Sequence, residues 1–371
     1  MAVRVAKPEF NVREKLTELD LPKGNHGTQV LKSNSLKETC ELVGSGRRNL
    51  LINGGFDIWQ RGTTFTTPSA PYYAADRWHI YRASSSITTT TRQSFTLGQQ
   101  EIPGNPKYFM RVDNTPDADN TWIEIVQHVE DVTQFSDKWV TLSFWMRSNK
   151  PQENTEDYWG FYYNFGTGGS PSGSMMAGVT PNFDIYTQWS YYEFPVYLPD
   201  IQNKTLGTDG VNTSSMKVHL LNGSNAVAAD TYYDIANVQL EFGRGATPFE
   251  KRPIGEELTL CQRYYQQIGP ASSSKFVLNG SGNGTARIRG LHQLVPEMRI
   301  APSAAHDVSA ESPTFYAYDG SPPSYTSVTA LDTTTKTLMW DFTTGTHNQQ
   351  GSDFDVKGSG AFITINADYA W

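Results

Sequence analysis

The chain has 371 residues, of which 37% are hydrophobic, 12% aromatic and 18% charged, with a net charge of −8 and a pI near 5.4. At roughly 150 residues per domain this predicts two or three domains, each able to bury a core. The acidic balance argues against nucleic acid as a partner, because backbone binding needs a basic face, and no apolar run reaches the ~18 residues that would span a membrane.

The low charge share moves the polar surface onto Ser, Thr, Asn, Gln and Gly, and 19 Tyr with 9 Trp favour sheet. The opening "MAVRVAKPEF" lacks an apolar stretch, so no secretion signal is expected. Residues 1–48 hold nine Lys/Arg against six Asp/Glu, a balance of +3, which leaves −11 to the rest of the chain. They read as short helices. In "NVREKLTEL", Asn11 can cap, Glu14 follows three residues on, and Val12, Leu16 and Leu19 share a face. In "SLKETCELVG", Ser35 and Glu38 form a capping box, Leu36, Cys40 and Val43 form the stripe, and Gly44 ends the helix. Helices this short need a surface to dock on. Phe10, Val12, Leu16, Leu19, Leu36 and Val43 are therefore the expected anchor residues of the segment.

From residue 49 to about 253 the pattern is β. "KYFMRV", "TWIEIVQHV", "KWVTLSFWMR", "SYYEFPVYL", "MKVHLL" and "YYDIANVQLEF" are short aromatic and β-branched runs separated by Gly, Pro, Asn and Asp. In the third run Val140, Leu142, Phe144 and Met146 face one way, with Thr141, Ser143 and Trp145 between them. This predicts a mainly β chain built on an antiparallel jelly-roll sandwich. "GEELTLCQRYYQQIG" breaks the rhythm, since Leu258, Cys261 and Tyr265 are helically spaced; a connecting helix is expected over 254–270. Residues 271–371 return to strand signals, in "KFVLNG", "TARIRGL", "PTFYAYDG", "TLMWDFTT" and "GAFITINADYAW", and predict a small C-terminal β-domain whose last strand is paired.

Sequence motifs for catalysis are missing. "NGSGNG" lacks the lysine and helix of a nucleotide loop and reads as a hairpin turn. No nucleophile elbow, zincin helix or Ser/His/Asp triad is present, the seven His show no metal-ligand spacing, and Cys40 and Cys261 read as small buried residues. The chain is expected not to be an enzyme. Asp57 at the start of the sandwich and Asp234 in its last strand become neighbours if those strands adjoin, and would then share a structural calcium ion; no other cofactor is expected. The remaining chemistry is aromatic, since flat rings stack on sugars while nearby amides and carboxylates take the hydroxyls. The glycan-binding candidates are Tyr72 and Tyr73 in "PYYAADRW", Tyr158, Trp159, Tyr162 and Tyr163 in "DYWGFYYNFG", and Tyr316, Tyr318 and Tyr325 near C-terminal turns. Trp59, Trp78, Trp139 and Trp145 read instead as sandwich core.

Three ordered segments, "NLLINGGFDIWQRG" with "ADRW", then "VQLEFGRGATPFEKRP", then "IGEELTLCQRYYQ", resemble the sandwich and helix of phage and prophage tail-fibre and related virion proteins. The opening "KPEFNVREKLTELDLP" and "GSGRRNLLING" resemble such proteins from aquatic bacteriophages. The resemblance spans residues 1–270, and "LVPEMRIAPS" with "ITINADYAW" fits the small β-domain that often follows "CQRYYQ". The sandwich of that family is similar to jelly-roll carbohydrate-binding modules. The resemblance implies a tail or head fibre made in the host cytoplasm and carried on the virion. Residues 1–48 would bind other virion proteins, the chain would form a homotrimer, and host surface polysaccharide would be its external partner, without membrane insertion. Two other readings stay open, a purely structural decoration or adaptor protein and a glycan depolymerase. The first stretch, on this reading, opens a domain: Leu50 to Ile52 begin a strand, Gly54 and Gly55 bend it, Phe56 and Trp59 anchor the core, and Arg61 pairs with a carboxylate or carbonyl.

Overall fold

The computed structural model describes residues 47–368, apart from 68–71, 84–87, 115–121, 153–159, 211–212, 223–230, 269–275, 283–286, 302–313, 318–324, 345–352 and 358–362. The expected anchor residues Phe10, Val12, Leu16, Leu19, Leu36 and Val43 lie outside the described residues, as do Tyr158, Trp159 and Tyr318.

Twelve strands build two six-stranded antiparallel sheets. They are β1 (Thr64–Thr67), β2 (Tyr72–Tyr73), β3 (His79–Ala83), β4 (Thr88–Ser94), β5 (Tyr108–Asn114), β6 (Trp122–Glu130), β7 (Lys138–Ser148), β8 (Gly160–Asn164), β9 (Met175–Val179), β10 (Ser190–Leu198), β11 (Ser215–Asn222) and β12 (Thr231–Phe242). One sheet runs β1-β4-β5-β12-β7-β10 and the other β2-β3-β6-β11-β8-β9. The chain steps between sheets from β5 to β8 and again from β9 to β12, which is the jelly-roll winding. Alternation decides the faces. Val140, Leu142, Phe144 and Met146 of β7 meet Ile123, Ile125 and Val129 of β6 and Met216, Val218 and Leu220 of β11 in one apolar core. Each such side chain contributes roughly 1.5–3 kcal/mol by leaving water.

The stretch "NLLINGGFDIWQRG" is not a strand at its start, because side chains take most of its backbone hydrogen bonds, and among the described residues only Leu50 N and Gly54 O bond the backbone of β12. Glu250 accepts from Arg48 N at 2.6 Å and Asn49 N at 2.7 Å. The Asn49 amide donates to Val238 O at 3.0 Å and accepts from Leu51 N and Leu240 N. Gln127 bonds both N and O of Ile52, and Arg252 donates to the carbonyls of Asn49 and Leu51. At Gly54 a β-carbon would lie 2.0 Å from Val238 O, so the close approach of this loop to β12 admits no side chain. Phe56 and Trp59 are buried, as expected.

After the sandwich comes helix α1 (Ile254–Gln262), with Glu256 and Glu257 in its first turn, where the backbone N–H groups favour negative charge. The expected helix over 254–270 is thus cut short. Tyr265 lies in strand β13 (Tyr265–Ile268), which pairs with β20 (Ile363–Asn366), and that partner nearly a hundred residues away overrides helical spacing. Between them β14 (Phe276–Gly282), β15 (Arg287–Gln293), β16 (Thr314–Ala317), β17 (Tyr325–Thr333), β18 (Thr337–Thr344) and β19 (Asp353–Lys357) form a sheet of order β16-β19-β14-β15-β18-β17. β14 and β15 pair antiparallel, but "NGSG" of the expected turn lies in β14 itself, and the reversal at 283–286 is outside the described residues.

The sequence motifs converge where β20 ends. Asp368 accepts from Arg61 at 2.5 Å and from Arg77 at 2.7 Å. Arg61 lies over the Tyr265 ring at 3.6 Å and Arg77 over Tyr264 at 3.3 Å. Arg77 also donates to His128 O, and Arg299 donates to the carbonyls of Ala367 and Asp368. Arg263 forks onto Glu130, which also accepts from the Tyr264 hydroxyl. "WQRG", "ADRW", "CQRYYQ" and "INAD" are four sides of one buried fastening between sandwich and C-terminal strand.

Candidate functional site

The outer face of the first sheet carries rows of paired side chains fixed by register. Asp234 of β12 stands opposite Arg111 of β5 and Arg147 of β7. One row on, Trp145 stands opposite Ala236 and Tyr191. The next row sets Ser143 opposite Gln239 and Glu193. Between Ala236 and Gln239 the register shifts at a bulge, where Asn237 takes a left-handed φ of 50°, a conformation asparagine tolerates.

The last two rows floor a cleft of about 510 Å³ lined by Trp145, Tyr191, Ser143, Glu193, Asn237 and Asp57, with walls from the segments 103–107 and 246–251, and the Asp234 row lies beyond its lining. Trp145 and Tyr191 are joined, their centroids 5.4 Å apart. The wall at 246–251 is pinned to β12: Glu241 accepts from the Thr247 N–H and hydroxyl, Gln239 donates to Thr247 O, and its amide oxygen accepts from Glu250 N. Glu193 accepts from Ala246 N at 2.8 Å. The other wall is held by Gln99, whose amide oxygen accepts from Ile102 N. Ile102 packs with Phe109, Trp189 and Ala236 in a second, smaller apolar cluster.

Burial pushes the Asp57 carboxyl upward, partly offset by Lys251, Lys107 and Arg92. Burial also raises the Tyr191 phenol, with a hydrogen bond from Ser143 opposing. The cleft therefore offers two aromatic faces among hydroxyl, amide and carboxylate groups. That combination stacks on the C–H face of a sugar ring and exchanges hydrogen bonds with its hydroxyls.

The expected calcium pair does not form. Both oxygens of Asp234 are taken by guanidinium groups, Arg111 at 2.6 and 2.9 Å and Arg147 at 2.8 Å, which put positive charge where a cation would sit. Asp57 lies in the cleft instead. No cluster of three or more His, Cys, Asp or Glu fit for a metal occurs among the described residues.

The tyrosine candidates scatter. Tyr163 is fully buried and donates to the carbonyls of Phe135 and Pro199, so it belongs to the core. Tyr72 is half-buried, bonds Thr90 and stacks on Phe65. Tyr73 packs tilted against His79, under Arg61. Tyr162 packs tilted against His219, on the outer face of the second sheet. Tyr316 and Tyr325 have backbones in β16 and β17. The cleft aromatics were missed. Trp145 read as core, although the alternation of β7 already set it on the face opposite Leu142 and Phe144. Trp59 and Trp78 are core as expected, while Trp139 lies on the outer face beneath Arg244.

The outer face of the second sheet holds a different group. His79, His128 and His219 are buried there beside Lys217 and Glu124. His128 shares a hydrogen bond with Ser215 at 3.0 Å. His219 lies 3.9 Å from Glu124, and neither of its ring nitrogens makes a hydrogen bond among the described residues.

Two antiparallel sheets wound in this order define the chain as a mainly β protein on a jelly-roll sandwich. No protein-family profile and no curated protein matches the chain. Among solved structures it is similar to the enzymatically active domain of tailspike protein 4 of bacteriophage CBA120, at 13% identity and a TM-score of 0.31, over 53% of this chain and 21% of that one. The chain thus spans about a fifth of that tailspike domain. It is similar to a putative sugar binding protein of Bacteroides thetaiotaomicron at 12% identity and a TM-score of 0.32, over 53% of this chain and 100% of that one. It is also similar to a family 11 carbohydrate-binding module of a Clostridium thermocellum cellulase at 14% identity and a TM-score of 0.27, over 49% and 100% of the two chains. The functional reading rests on the cleft.

Proposed function

We propose that the chain is a non-enzymatic phage virion protein, a tail or head fibre that displays its β-domains to bind glycan on the host cell surface. The observation that carries this is the cleft, where Trp145 and Tyr191 stand among Asp57, Glu193, Asn237 and Ser143. Residues 1–48 join it to other virion proteins, and three copies assemble, so that weak contacts add by avidity. Neither cofactor nor catalytic residue is invoked.

The test is binding of the full chain to host surface polysaccharide, with Trp145→Ala and Tyr191→Ala combined. Losing two central aromatics is expected to weaken binding by about tenfold or more, with little change in melting temperature because both side chains lie outside the main core. Undiminished binding would remove the cleft from the proposal. Absence of binding by the wild-type chain would favour a structural decoration or adaptor protein. Light scattering on the full chain is expected to give the mass of a trimer, and a monomer would overturn the trimeric fibre.

A further inference from the structure

We propose that the glycan bound on this face carries an oxyanion and that Arg147 reads it, an inference that rests on the glycan-binding reading above. Arg147 lies two residues from Trp145 on the same face of β7, a rise of about 7 Å. Its Nε donates to Asp234, which is wholly buried, and its Cζ lies 4.8 Å from the Trp189 ring centroid. The guanidinium is thus held from behind and from one side. Its two terminal nitrogens make no hydrogen bond among the described residues, and the side chain is 26% exposed.

Arg111 differs. It spends Nε and one terminal nitrogen on Asp234 and also has Asp113 nearby. The outward-facing fork of donors on this row is therefore that of Arg147. A guanidinium fixed through Nε, with both terminal nitrogens open, matches the paired oxygens of a carboxylate or phosphate. Because Asp234 and Trp189 already fix the side chain, little rotamer freedom remains to be lost on binding. A sugar stacked on Trp145 and Tyr191 would bring an acidic neighbour in the same glycan within reach of this fork.

The probes are bacterial capsular polysaccharides printed in pairs, intact and after chemical reduction of their uronic acids to neutral sugars, with phosphorylated polysaccharides also printed after dephosphorylation. The full chain is expected to bind an intact acidic member and to lose about tenfold or more when the charge is removed. The pair that responds distinguishes carboxylate from phosphate. Arg147→Gln keeps the Arg111–Asp234 pair, and it should lose as much on the intact glycan and nothing on the neutral one. Equal binding to charged and neutral members, with Arg147→Gln silent, would overturn the proposal and leave glycan binding standing. No binding to any member would overturn both. The comparison of glycans uses the unmodified protein, so it holds even if the variant folds poorly.

Discussion

Asp368→Asn is expected to destabilise the protein by about 3–5 kcal/mol, because it leaves two buried guanidinium groups without their carboxylate. The Asp368 and Arg77 side chains are 2% and 1% exposed, so water cannot replace the lost charge. Arg77 keeps its bond to His128 O and its place over Tyr264, and Arg61 keeps Tyr265, but Asp76 stands 3.9 Å from Arg61 and cannot serve both cations. Urea unfolding checks this, with Glu297→Gln as the contrast. Glu297 pairs with Lys336 at 3.7 Å in the open, and its loss should leave the unfolding curve where it is. If the two variants unfold alike, Asp368 is not the fastening.

The second expected effect is acid instability. Burial, reinforced by Lys217, lowers His79 and His219 to about 3. Arg61 adds to the first. His128 lies well below its ordinary value through burial, with Lys217, Arg77 and the other two histidines adding to it. The unfolded histidines take protons below about pH 6.5, while the folded ones stay neutral. Stability is therefore full above that pH and falls as pH drops toward the folded values, by up to about 1.4 kcal/mol per pH unit for each histidine. The carboxyls of Asp57, Asp76 and Glu257, raised by burial, act in the opposite direction and offset part of the fall. Melting is expected to drop by roughly 10 °C or more between about pH 7 and about pH 4.5. His219→Leu removes one titrating group and should flatten the profile. A melting temperature that stays level with pH in the wild type would mean that these histidines are not held neutral.

The sandwich was legible because inward and outward residues alternate along β6, β7, β10 and β12. The extent of α1 was not, since Tyr264 and Tyr265 suit a helical stripe as well as a strand, and only the distant Ile363–Asn366 decides between them. The calcium pair failed for a related reason. The sequence places Asp234 in the last sandwich strand, but only register reveals that its neighbours on both sides are arginines. The cleft joins β7, β10 and β12 to three loops that lie far apart along the chain, so no contiguous motif announces it. The quoted motifs, by contrast, are contiguous because each supplies one rigid side of the Asp368 fastening.

The pairing of β13 with β20 has a consequence for inheritance. The chain leaves for its last sheet and comes back on two hydrogen-bonded strands, about 4.8 Å apart. The sheet of β14 to β19 is thus entered and left at adjoining points, the arrangement most tolerant of grafting, and among the described residues Arg299 ties it back to Arg263, Ala367 and Asp368. A gene exchange that replaced this sheet would carry it across whole and leave Arg61, Arg77 and Asp368 closed on one another, with the place of Arg299 for the newcomer to fill.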